Sequence, residues 1–391
     1  MSARGEASGV ALAGEILNRY GALDDAGRLA FFRHLAGEYN PDGAAVLAAA
    51  EAYAGAPEPG AMSALFDAVE PPRQELLRRL NLTPGGTECL VRMRADLLPL
   101  LRENPELAAI DHDFRHLLRS WFNRGFLVLQ RIDWATPAAL LEKIIAYEAV
   151  HDIGDWDELR RRVAPPDRRC FAFFHPAMPD EPLIFVEVAL TGETPGSIQA
   201  LLSADRDVLA PERAKVAVFY SISNCQPGLA GVSFGAFLIK QVATDLSGEL
   251  AGLETFVTLS PVPGFVRWLK AEGETDPEGR AATIAADMAE PGWQDRAEAV
   301  KTGVLAEAAR YFLEAKRPDG QPPDPVARFH LGNGAELEAI HWMGDTSDKG
   351  IAQAAGLMVN YRYRLDRIEA NHEAYAKDGE IRASRAVRGL L

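Results

Sequence analysis

Through the first third of the chain, apolar residues recur at helical spacing. Leu29, Phe32, Leu35 and Ala36 fall at i, i+3, i+6 and i+7, and Leu90, Met93, Leu97 and Leu101 form a second stripe. That period marks helices with one buried face. The breaks YNPDG, GAPEPG, VEPP and LTPGG carry turn and helix-start residues. Residues 1–120 therefore read as a helical domain with almost no strand.

After Trp121 the texture changes. FLVLQRI (126–132), CFAFFHP (170–176), LIFVEVALT (183–191), VAVFYSIS (216–223), TFVTLS (255–260) and LEAIHWM (337–343) have strand character. Helices are predicted at 137–150, 235–248 and near 297–315, with exposed loops at 271–280 and 317–325. Strands and helices mixed in this order predict an α/β (α+β) domain over 121–391 built on one central sheet.

Within it, residues 216–265 read as strand, glycine-punctuated loop, helix and second strand. Backbone N–H groups at such a loop, where a helix dipole is positive, suit a phosphate. The loop is neither a Walker loop nor GxGxxG, because Gly228, Gly231 and Gly235 are widely spaced. A tight strand-to-helix turn is the structural alternative.

Composition narrows the partners. Against 41 basic residues stand 56 acidic ones, a net charge of −15, which argues against a nucleic-acid face. Cys89, Cys170 and Cys225 form no CxxC, so neither a disulfide framework nor a zinc site is indicated. His112 and His116 have i, i+4 spacing but no third ligand in sequence. No secretory leader and no run of ~18 apolar residues is seen, so a cytoplasmic protein away from membranes is expected.

Four places could carry chemistry. The glycine loop is one. Ser260, before Pro261, sits at a strand end, where turn serines and site serines both occur. His330 follows a proline-rich loop and precedes Gly332-Asn333-Gly334, a setting that can expose an imidazole at a cleft edge. Tyr361 and Tyr363 would share a strand face, or be offset on a helix. Cys225, His175 and His341 read as structural, and Lys240, Arg267 and Lys270 as phosphate partners or a solvated face.

At these motifs the chain resembles the malonyl-CoA decarboxylase family. YEAVHDIGDWDELRRRV, RCFAFFHPAMPDEPLIFVEVALTG, VFYSIS, GLAGVSFGAFLIK, LSPVPGF, FHLGNGAELEAIHW and GLMVNYRY carry the resemblance, in order, over roughly residues 125–365. It implies a self-associating helical domain, hence a homo-oligomer. It also implies a catalytic, acyl-CoA-binding domain with the fold of the GNAT acetyltransferase superfamily. The implied reaction takes malonyl-CoA to acetyl-CoA and CO2, with no metal and no cofactor beyond the coenzyme A of the substrate. Ser260 and His330 match the catalytic pair of the family, and Tyr363 the residue that supports the histidine. Asn224, Gln226, Ala230, Gly231, Val232, Ser233, Phe234, Gly235 and Ala236 would bind the substrate. Several members carry Glu where this chain has Ser233, a departure that removes one negative charge and speaks against acid–base chemistry there. The alternative on the same fold is a CoA-dependent acyltransferase.

Overall fold

A computed structural model describes residues 6–232, 238–290 and 292–391. Seven α-helices fill the first part: α1 (Glu6–Gly21), α2 (Asp25–Glu38), α3 (Gly43–Gly55), α4 (Pro59–Val69), α5 (Pro72–Asn81), α6 (Gly86–Leu97) and α7 (Ala108–Trp121). Their starts follow from local chemistry. Asp24 and Asp42 cap α2 and α3 by accepting from Gly27 and Ala44 N–H, and Pro59 and Pro72 open α4 and α5. On α7 the buried Ile110, Asp113, Phe114, Leu117 and Leu118 form one stripe. Phe32, Leu35, Leu90, Met93 and Leu97, from the predicted stripes, are all buried. Helices α3 and α4 differ: they pack on each other, yet neither has a fully buried residue.

The chain divides into two compact units. One is Met1–Val128 with Phe173–Leu183 and Asn224–Phe234; the other is Leu129–Ala172, Ile184–Ser223 and Gly235–Leu391.

The second unit is built on an eight-stranded sheet: β1 (Val128–Ile132), β2 (Arg168–Phe174), β3 (Ile184–Thr191), β4 (Val216–Asn224), β5 (Thr255–Thr258), β6 (Ser260–Pro261), β7 (Glu336–His341) and β8 (Met358–Arg362). The order is β1-β2-β3-β4-β5-β8-β6, and β7 also pairs with β8. Strand β4 runs parallel to β5 in the register Val216 with Thr255 to Phe219 with Thr258; β8 runs antiparallel to β5, β6 and β7. Every residue of β2 is buried and nearly every residue of β3, so both faces of the sheet centre are covered. Val218, Tyr220, Val257, Leu259 and Met358 share one core cluster with Ile198 and Leu201.

The helices of the second part are α8 (Ala138–Tyr147), α9 (Trp156–Val163), α10 (Ile198–Leu202), α11 (Leu238–Glu249), α12 (Phe265–Thr275), α13 (Arg280–Ala289), α14 (Ala297–Leu313), α15 (Pro325–Gly332), α16 (Asp348–Ala354), α17 (Ile368–Asp378) and α18 (Arg385–Arg388). One loop expectation is corrected: residues 271–275 continue α12, whose buried Phe265, Val266 and Leu269 anchor it, and the connection is only 276–279.

Candidate functional site

Ser260 owes its position to a break in the sheet. Strand β5 ends at Thr258, Leu259 N–H donates to Phe219 O (3.0 Å), and Ser260 begins β6, opposite Val359 of β8. The predicted strand 255–260 is thus two strands. Pro261, which has no N–H to offer a ladder, confines β6 to two residues. Ser260 is 5% exposed.

His330 comes from helix rather than loop. Asp324 caps α15 by accepting from Ala327 N–H (2.8 Å), and Pro325 takes the first helical position. His330 sits in the last turn, 3% exposed. The expectation of an imidazole exposed at a cleft edge is therefore corrected. Burial pushes its pKa down to about 3, so the ring is neutral, with one donor and one acceptor nitrogen.

Strand β8 supplies the rest. His330 Nδ1 lies 2.7 Å from Tyr363 Oη, and Nε2 lies 3.2 Å from Ser260 Oγ. Tyr361 stacks on the imidazole, with centroids 4.6 Å apart and planes at 23°. Burial raises the Tyr363 pKa well above its ordinary value, so the phenol keeps its proton. Its hydroxyl has no other partner among the described residues and donates to Nδ1. The ring hydrogen then belongs on Nε2, directed at Ser260 Oγ.

A residue that sequence reasoning missed closes the line. Ser260 O–H donates to Thr258 Oγ1 (2.8 Å), which also accepts from Tyr361 N–H (3.1 Å). The carbonyl of Thr258 accepts from the Asn360 amide at 2.7 Å, and Thr258 and Asn360 are both fully buried. A threonine in a strand reads as β-propensity alone. Tyr363, His330, Ser260 and Thr258 thus form one buried, directed hydrogen-bonded chain.

The glycine loop is held by its own neighbours in the first unit. Cys225 is buried, its N–H donating to Leu183 O (2.9 Å), and Gln226 Nε2 donates to Pro182 O (3.0 Å). Pro227–Leu229 make a 3-10 turn, and Asn224 is exposed at the end of β4. A Cβ on Gly228 would lie 1.8 Å from Val91 O, so only glycine fits; Arg94 Nη1 donates to Gly228 O at 2.7 Å. Ala230 and Val232 flank Gly231, whose φ of 71° is left-handed. Ser233, Phe234, Gly235 and Ala236 lie outside the described residues.

The lesser candidates keep structural partners. Lys240 pairs with Glu369, His341 with Asn360, and His175 with Trp121 O. His112 is exposed beside Asp113, and no cluster of three or more metal-ligand side chains occurs among the described residues. Among the described residues no helix is long and apolar enough to cross a membrane.

Comparison with known proteins gives two family matches along the chain. Residues 39–122 match the family described as malonyl-CoA decarboxylase N-terminal domain, and residues 125–391 the malonyl-CoA decarboxylase C-terminal domain. The chain is 36% identical over 351 residues to the mitochondrial malonyl-CoA decarboxylase of Anser anser anser, covering 82% of this chain and 69% of that protein. Its Mus musculus counterpart is 36% identical over 354 residues, covering 83% and 72%. The crystal structure of malonyl-CoA decarboxylase from Rhodopseudomonas palustris superposes with a TM-score of 0.94 at 55% identity, covering 99% of this chain and 96% of that one. The Agrobacterium vitis structure gives 0.94 at 54% identity, covering 100% and 97%.

Proposed function

The chain belongs to the malonyl-CoA decarboxylase family, a carboxy-lyase family, and from that premise we propose that its α/β domain has the acetyltransferase-like fold and that Ser260, His330 and Tyr363 carry out the decarboxylation of malonyl-CoA. The observation that carries this reading is the buried chain Tyr363–His330–Ser260, drawn together from positions 103 residues apart.

In this mechanism the Ser260 O–H, held at rest by Thr258 Oγ1, turns to donate to the malonyl carboxylate or the thioester oxygen and fixes the C–C bond for cleavage. The bond between Cα and the carboxylate breaks, its electron pair enters the thioester enolate, and CO2 departs. His330 Nε2 gives its proton to Cα, forming acetyl-CoA and leaving an imidazolate that the Tyr363 hydroxyl steadies at Nδ1, and the ring takes back a proton from solvent only after the product has left. Tyr363 holds Nδ1 as the acceptor, so that the transferable proton stays on Nε2. Burial of Ser260 and His330 keeps water away and strengthens each of these interactions.

The glycine loop from Asn224 and Gln226 through Ala230–Ala236 is assigned to coenzyme A, its amides facing pantetheine and phosphates. No metal or further cofactor enters the scheme. The reading extends to a cytoplasmic enzyme of fatty-acid metabolism and to a homo-oligomer formed through the helical part. Supporting the last point, α3 and α4 leave Leu47 60% and Phe66 65% exposed.

Ser260→Ala and His330→Ala, purified and assayed for acetyl-CoA formation, test the chemistry. Turnover should fall by about 10²–10³-fold for the serine and about 10²–10⁴-fold for the histidine. Near wild-type turnover in both would sink the assignment.

A further inference from the structure

Helix α7 brings two arginines to the glycine turn, and neither has an obvious structural purpose. Arg119 Nη2 reaches Gly231 O at 3.4 Å, a long contact that uses one donor of five. Arg115 Nε lies 3.9 Å from where a Cβ on Gly231 would sit, and this nitrogen is buried without a hydrogen-bond partner. The two are four residues apart on one helix face, where like charges repel. The chain carries 56 acidic residues against 41 basic ones, yet among the described residues neither arginine forms an ion pair. The neighbouring Arg94, by contrast, is matched by Asp111 at 2.8 Å while it holds Gly228 O. Two unneutralised guanidiniums converging on a left-handed glycine turn lack an anion, and the turn itself adds no negative charge.

We propose that Arg115 and Arg119 of the helical domain form, with the Gly231 turn, a clamp for the phosphate groups of the coenzyme A moiety. The inference rests on the reading of the loop as a coenzyme A site and deepens it. The planar guanidinium fork matches phosphate oxygens in pairs, and a partly buried fork holds them more strongly than an exposed lysine does. Glycine at 231 lets the ligand approach without a side chain between it and Arg115 Nε. The helical domain thereby takes part in substrate recognition as well as in assembly.

The test is equilibrium titration of the full chain with coenzyme A, 3′-dephospho-coenzyme A and pantetheine, for wild type, R115A/R119A and R115K/R119K. The alanine pair should weaken coenzyme A binding by about tenfold or more. Pantetheine binding should stay within about twofold, and the lysine pair should recover part of the loss. A loss persisting with dephospho-coenzyme A assigns the clamp to the pyrophosphate; one that disappears assigns it to the 3′-phosphate. In steady state KM for malonyl-CoA should rise much more than kcat falls. An unchanged coenzyme A constant, or equal losses for coenzyme A and pantetheine, overturns the clamp, the second outcome meaning that the arginines only shape the turn. The Ser260 and His330 variants judge the decarboxylation reading separately.

Discussion

Thr258→Val replaces a hydroxyl by a methyl at constant shape and so isolates one oxygen atom. In the native site that oxygen accepts from Tyr361 N–H (3.1 Å) and Ser260 O–H (2.8 Å), and Thr258 is fully buried. The backbone N–H cannot turn elsewhere, so its loss of a partner should cost about 1–3 kcal/mol of stability. The serine proton can rotate, but the neighbour in reach is His330 Nε2, which already carries a hydrogen while Tyr363 donates to Nδ1. Two donors then face each other, and either Ser260 swings away or the ring exchanges tautomer. Losing one oriented hydrogen bond in the transition state, about 1.4 kcal/mol, lowers kcat about tenfold. Thr258→Ser keeps the oxygen and gives up only a methyl, about 1 kcal/mol of packing. It should retain kcat within about threefold. Acetyl-CoA formation and urea unfolding on both variants provide the measurement. If the valine and serine variants turn over alike, near the wild-type rate, the hydroxyl does not position Ser260 and the argument is refuted.

Two other outcomes are expected. The His330 pKa is depressed by burial to about 3, while the unfolded chain titrates near 6.5. Between these values the unfolded state binds more protons, so stability from neutral His330 is lost as pH falls, about 1.4 kcal/mol per unit. Wild type should therefore lose about 2 kcal/mol relative to His330→Gln between pH 7 and pH 5, a difference in which the opposite effect of Asp324, raised by burial to about 6, cancels. Equal urea midpoints for the two proteins at both pH values would contradict it. On the proposed homo-oligomer, wild type should sediment faster than a monomer and Phe66→Glu, at an exposed position of α4, should lower the coefficient toward the monomer with its helical circular dichroism kept; a monomeric wild type refutes the oligomer, and an unchanged coefficient removes α4 from its proposed surface.

How far the sequence could be read depended on whether a residue's partners were local. The strand runs at 170–176, 183–191 and 216–223 were legible because burial on both faces leaves continuous apolar text. Ser260, His330 and Tyr363 were legible as a group because family motifs carry them, and the structure brings them within hydrogen-bonding distance of one another. The burial of His330 was not. The proline-rich text before it looked like a loop running up to the histidine, although Asp324-Pro325 is also the cap-and-first-position signal of a helix. Thr258 and the arginines of α7 were invisible for another reason. Thr258 takes its backbone donor from Tyr361 across the sheet, and Arg119 meets Gly231 more than 110 residues along the chain, so alone they look like strand filler and helix surface.

The contact between Gly228 and helix α6 bears on how this protein can be taken apart. With Val91 O so near that no side chain fits, and Arg94 holding the carbonyl of Gly228, the turn after β4 has its seat on a helix encoded more than 130 residues earlier. A fragment expressed from residue 125 onward, the boundary that the family division suggests, would leave that turn without its floor. The same cut would strip α6 from the turn Pro227–Leu229 that packs on it, uncovering the buried Leu229. Dissection at the obvious seam would thus remove support from the loop assigned to the substrate. The two halves can be named apart, but the second half cannot be produced alone with its turn intact.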